Sequence, residues 1–155
     1  MPKVKDIAHI IEEFAPRELQ ESYDNAGLQV GNPEMEVTAS LLCLDVTEEI
    51  MAEAHKRRCN MIISHHPLIF RGLKELTGRT AAERIAIDAI RNDIAIYSAH
   101  TNLDSASEGV SYEMAHMLGL TDIKVLEPKD PEKTTGLGVT GNITPTPKME
   151  FLRKV

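Results

Sequence analysis

The sequence predicts an α/β protein built on a mixed, largely parallel sheet, and three observations predict it. Short apolar runs at Ala39–Asp45, Met61–Ile63 and Ile94–Tyr97 are separated by amphipathic stretches of helical period, which gives the order β-α-β-α-β. The runs are nearly continuous rather than alternating, as expected of parallel strands covered on both faces. Polar residues collect directly after them, where open α/β sheets place their ligand sites.

The elements follow in order. Val4 to Phe14 carries Val4, Ile7, Ala8, Ile10, Ile11 and Phe14 at helical spacing, a packing helix that Pro16 ends. Ser22 to Pro33 is rich in turn residues around a short apolar piece, Leu28 to Val30, and reads as a loop with a short strand. Ala39 to Asp45 is the first long strand, and Asp45 with Glu48 has the spacing of a capping box for a helix from Val46 to Arg58. Lys56-Arg57-Arg58 suits the negative end of that helix. The strand Met61–Ile63 follows, then a helix from Ala81 to Arg91 introduced by Thr80 and Glu83, then the strand Ile94–Tyr97. A helix from Val110 to Leu118 ends at Gly119, a residue suited to a left-handed cap. Beyond it lie strand candidates Ile123–Leu126 and Leu137–Gly141, joined by the polar segment Glu127 to Thr135, and the first turns of a helix from Pro147 to Val155. These features divide the chain into a metal-binding α/β domain over 1–127 and, over 128–155, a connector with the start of a second α/β segment.

Composition narrows the function. At 155 residues with 42% hydrophobic and 26% charged residues, the chain has enough apolar material for one ordinary globular core. A net charge of -7 argues against a nucleic-acid backbone as the main partner, since phosphate neutralisation needs clustered Lys and Arg. Cys43 and Cys59 show neither metal-ligand nor disulfide spacing, which fits a reducing, cytoplasmic location. No stretch reaches membrane-spanning length, and no phosphate-binding glycine loop or nucleophile elbow is found.

The chemistry concentrates in Ser64-His65-His66-Pro67 and in His100-Thr101-Asn102-Leu103-Asp104, each after a buried strand. Imidazole and carboxylate groups meeting at one sheet edge are the donors of Zn, Mn, Fe or Ni sites. Vicinal side chains leaving a strand diverge, so His65 and His66 suit two metal ions more readily than one. Such a pair activates water for hydrolysis. His9, His55 and His116 lie on predicted helices without a companion ligand and read as structural or exposed. Asp45 could orient a His or cap a helix, and Asp24-Asn25-Ala26-Gly27 could line the site but reads first as a turn.

Taken together, Ser22–Pro33, Leu44–Ala54, Asn60–Phe70 and Tyr97–Asp104 resemble, in order and spacing, the NIF-three-like family of GTP cyclohydrolase 1 type 2 homologues. Tyr23 stands where that family commonly has Trp. The resemblance implies a three-layer α/β sandwich, toroidal homohexamers, and a centre of two divalent metal ions per subunit facing the interior. His65, His66 and Asp104 match its metal ligands, and His100 matches a residue lining the site, assigned here a catalytic role in proton transfer or substrate orientation.

The family also draws a His and a Glu from a motif near the C-terminus of longer chains, and no His with Glu four residues on follows Asp104 here. The sequence is therefore expected to be the N-terminal portion of a family protein. The implied activity is metal-dependent hydrolysis of a nucleotide or similar small molecule. The alternative is a non-enzymatic metal-binding scaffold or interaction protein.

Overall fold

The computed structural model describes residues Met1–Val155. Helix α1 (Val4–Phe14) and a single 3-10 turn (Arg17–Leu19) precede strands β1 (Gly27–Val30) and β2 (Ser40–Cys43). Helix α2 (Glu48–Arg57), β3 (Met61–Ser64), α3 (Ala81–Arg91) and β4 (Ala95–Ser98) complete a four-stranded sheet. Its order is β1-β4-β3-β2, with β2, β3 and β4 parallel and β1 antiparallel to β4. The predicted α/β class and mixed, mostly parallel sheet are both present.

Alternation along the strands sends side chains to opposite faces, and both faces are covered. Ile62 and Ile96 pack with Met51 and Ala54 of α2 and with Ile85, Ala86 and Ala89 of α3. Met61, Ala95 and Tyr97 pack with Val4 of α1 and with Val37 on the other side. Tyr97 is fully buried and its hydroxyl donates to Glu12 Oε1 at 3.1 Å, so its ring contributes apolar contact without leaving the phenol unpaired. Loss of solvent there, next to the Glu12 charge, holds the phenol well above its ordinary pKa.

Two local expectations give way. β2 is an edge strand hydrogen-bonded only to β3, and Leu42 is 73% exposed, so this apolar run is not covered on both faces. Continuous hydrophobicity does not distinguish a central strand from an edge whose outer face lacks a partner. Asp45 does not cap α2 either: Thr47 does, its hydroxyl accepting the Ile50 N–H at 3.3 Å. Asp45 is thereby left free for the site.

Beyond the main sheet come a short helix α4 (Thr101–Ser105) and α5 (Val110–Leu118), which ends as expected at Gly119 with φ of 76°. Strands β5 (Thr121–Pro128) and β6 (Gly136–Asn142) pair with each other as an antiparallel ribbon, so the polar segment between them is a hairpin loop, and α6 (Lys148–Lys154) follows. Asp130 anchors that loop by accepting from the Thr134 and Thr135 backbones and the Thr135 hydroxyl. Hydrogen bonds from Thr135 hold its carboxyl far below the ordinary range. At the end of β1, Gly31 has φ of 115° and its missing side chain would stand 2.8 Å from Ala95 Cα, so only glycine lets the edge strand close on β4. No helix is long and apolar enough to cross a membrane.

The segment Pro67–Thr80 that joins β3 to α3 is tied down by Glu83. Its Oε2 accepts the N–H groups of Thr77 and Arg79, both at 3.0 Å, and the Thr77 hydroxyl at 2.9 Å. The Thr77 N–H and hydroxyl, foremost among these donors, hold the carboxyl down at about 2 against an ordinary 4.5. A carboxyl depressed by folding adds stability above its unfolded pKa and loses it as pH falls through the folded one. Glu83→Gln is therefore expected to lower the urea midpoint at pH 7, with the deficit shrinking as pH falls from 4.5 toward 2. An equal deficit at pH 7 and at pH 2.5 would contradict this assignment.

Candidate metal centre

The site is built by the parallel register of β3 and β4, which sets Ser64 opposite Ser98. The ladder runs on past both strands. His65 and His66 donate their backbone N–H to Cys43 and Leu44, at 3.2 and 2.9 Å, and Ala99 donates to the Ser64 carbonyl at 2.9 Å. Beneath them the buried hydroxyls of Ser64 and Ser98 lie 2.8 Å apart, and Ser64 Oγ also donates to the His66 carbonyl at 2.9 Å. The His pair thus leaves the sheet on a backbone fixed from both sides.

His100 arrives by a different route. It precedes α4, and the fully buried Asn102 accepts its N–H at 2.9 Å while donating Nδ2 to the Ala15 carbonyl at 2.7 Å. That bridge ties the end of α1 to the start of α4. One ring nitrogen each from His65, His66 and His100 then lies within 4.8 Å of the others, so this cluster could bind a metal ion.

Hydrogen bonds determine which nitrogen is free. His65 Nδ1 donates to the Ala99 carbonyl at 2.9 Å, His66 Nδ1 to Asp45 Oδ1 at 2.8 Å, and His100 Nδ1 to Asp24 Oδ1 at 2.8 Å. A carbonyl or carboxylate can only accept, so each imidazole carries a proton on Nδ1, and the neutral ring then offers its lone pair on Nε2. Outer acceptors of this kind orient metal-binding imidazoles and raise their basicity. His65 Nε2 and Asp104 Oδ1 are 3.6 Å apart. That is too long for a hydrogen bond, yet close to the roughly 3.4 Å between two ligands of a tetrahedral ion held at about 2.1 Å.

Asp24 is the member that sequence reasoning placed first in a turn. Its side chain has no exposure and accepts from His100 Nδ1, the Asn25 N–H at 2.7 Å, the Thr101 N–H at 3.1 Å and the Thr101 hydroxyl. Burial pushes its carboxyl up, and the bonds from His100, Thr101 and Asn25 outweigh this and hold it below the ordinary value. It is therefore a buried anion behind His100. With Asp45 and Asp104, three carboxylates stand beside three imidazoles, an electrostatic environment suited to a cation.

Of the expected site residues, His65, His66 and His100 are brought together, and Asp104 stands beside His65 at 3.6 Å. His9, His55 and His116 are exposed and lie outside the cluster, with His55 Nε2 placed 2.9 Å from Asp88 Oδ2 on the surface.

An α/β sheet whose parallel strand ends gather imidazoles and carboxylates defines a candidate metal-binding protein. Comparison identifies its kind: the family model Duf34/NIF3 (NGG1p interacting factor 3) matches residues 2–155, and the chain belongs to that family. It is 41% identical over 153 residues to the GTP cyclohydrolase 1 type 2 homolog of Lactococcus lactis, covering 99% of this chain and 58% of that protein. The structure of reduced HcgD from Methanocaldococcus jannaschii superposes with a TM-score of 0.83 at 34% identity, covering 99% of this chain and 58% of that one. A Bacillus cereus protein related to NIF3 gives 0.77 at 43% identity, over 83% of this chain and 35% of that one. The chain thus spans between about a third and three fifths of the length of these relatives.

The buried Asp24 and the exposed Asp45 make similar bonds to imidazole in different surroundings. Asp24→Ala strands several buried donors and is expected to lower the unfolding free energy by about 3 kcal/mol. Asp45→Ala, at a side chain 59% exposed, is expected to cost less than about 1 kcal/mol. Equal losses for the two variants in chemical denaturation would contradict the difference in burial.

Proposed function

We propose that the protein is a divalent-metal-dependent hydrolase of the GTP cyclohydrolase 1 type 2 homologue kind, acting on a nucleotide or similar small molecule. The observation that carries this reading is the engagement of all three Nδ1 positions in one cluster, which leaves the Nε2 atoms of His65 and His66 for metal and that of His100 for proton transfer. His65, His66 and Asp104 are assigned as metal ligands, with two ions per subunit in the complete site.

A divalent ion held by His65, His66 and Asp104 would supply a Lewis acid that favours ionisation of water at neutral pH and offsets charge on a hydrolysed substrate. The chain's own groups supply the rest. Asp24 keeps the His100 proton on Nδ1, so Nε2 can accept the proton of an attacking water, and the buried anion stabilises the resulting imidazolium. Ala99 and Asp45 hold the other two rings in place as charge changes.

The three-layer arrangement, the toroidal homohexamer and a cytoplasmic location belong to the same proposal, as do the activity and substrates of the longer proteins. The test is turnover of a nucleotide panel by chain loaded with zinc or manganese. Product formation is expected in the wild type, lost in His66→Ala and Asp104→Ala. In His100→Ala it should fall about 100-fold or more with metal retained. Activity unchanged in His66→Ala would overturn the assignment. Bound metal without turnover across the panel would favour a non-enzymatic metal-binding scaffold.

A further inference from the structure

An aromatic ring that metal binding does not use stands beside His100, with a second ring against it. The Phe70 ring lies 6.3 Å from that of His100, centroid to centroid, with the planes at 87°. Tyr23 lies 6.4 Å from Phe70 at 66°. Both are edge-to-face contacts at ordinary separations. The chain has only three Phe, three Tyr and no Trp, and two of these six rings meet at this one place.

Their backbones form a single frame. Asn25 Nδ2 donates to the Ile69 carbonyl at 2.7 Å, the Ile69 N–H donates to Gln29 Oε1 at 3.1 Å, and Gln29 Nε2 donates back to the Asn25 carbonyl at 2.6 Å. Asp24, next to Tyr23, is bonded to His100 itself. The rings are therefore held at a set position relative to the imidazole cluster, yet Phe70 is 43% and Tyr23 65% exposed.

We infer that Phe70, with Tyr23 at its edge, is a ring-binding wall at the mouth of the His65–His66–His100 cluster, selecting substrates that carry a flat heterocycle such as a purine base. Stacking on an exposed aromatic face tolerates different bases and needs no donor code. This rests on the hydrolase reading and names the part of the substrate recognised.

The test is calorimetry on the full chain, with and without zinc, using guanosine 5′-monophosphate and ribose 5-phosphate as probes and zinc alone as a third titrant. Phe70→Ala and the bulkier Phe70→Leu should each weaken the nucleotide roughly tenfold, Phe70→Tyr should restore it, and zinc and ribose 5-phosphate should bind all of them alike. Nucleotide binding indifferent to Phe70→Leu, no tighter than ribose 5-phosphate in the wild type, or absent from the zinc-loaded wild type would overturn the wall while leaving the metal centre intact. Failure of zinc to bind the wild type would count instead against the hydrolase reading, and the wall would stand or fall on the Phe70 dependence without metal.

Discussion

The parallel register that sets Ser64 against Ser98 is the constraint on which the site depends, because it brings segments 34 residues apart to one level of the sheet edge. From that level His65 meets the Ala99 carbonyl, and the chain after Ala99 turns at His100 into α4. A slip of one residue would invert every side chain of the strand and send Ile62 and Ile96 to the wrong face. Packing of those residues against α2 and α3 therefore fixes the imidazole cluster as firmly as it fixes the core.

Around this frame the polar groups form pairs with unequal roles. The outer partners, Ala99, Asp45 and Asp24, accept protons from Nδ1 and so leave Nε2 as the reactive position of each ring. Asp24 is enclosed and cannot relax into water, so His100 is the most rigidly held of the two carboxylate-backed rings. Asp45 is more than half exposed, so His66 has more freedom.

Much of the fold was legible in the sequence because periodicity reports burial directly. The ranges of α1, α3 and α5 match their expected helices residue for residue, and Gly119 caps α5 as its type suggests. The edge position of β2 was not legible, since an apolar run looks the same whether one face or both are covered. His65, His66, His100 and Asp104 were legible as strand-end polar residues. Asp24 was legible only as a residue that could line the site, second to a turn, because its contact with His100 spans 76 residues and its local sequence satisfies an ordinary turn. Asp45 was legible only as an ambiguity, which the cap made by Thr47 resolves.

The central claim is that three imidazoles are held as Nδ1–H tautomers, so that Nε2 of His65 and His66 is left for a cation and Nε2 of His100 for a proton beside it. Zinc titrated into protein labelled with nitrogen-15 in its histidine rings tests this most directly. The account predicts that the Nε2 resonances of His65 and His66 move together into the range of metal-bound nitrogen and saturate at one or two equivalents, while that of His100 stays outside that range. Their Nδ1 resonances should keep the character of protonated nitrogen, and His9, His55 and His116 should not respond. Zinc-induced shifts confined to those three exposed rings, or Nδ1 atoms of the cluster found unprotonated, would contradict it.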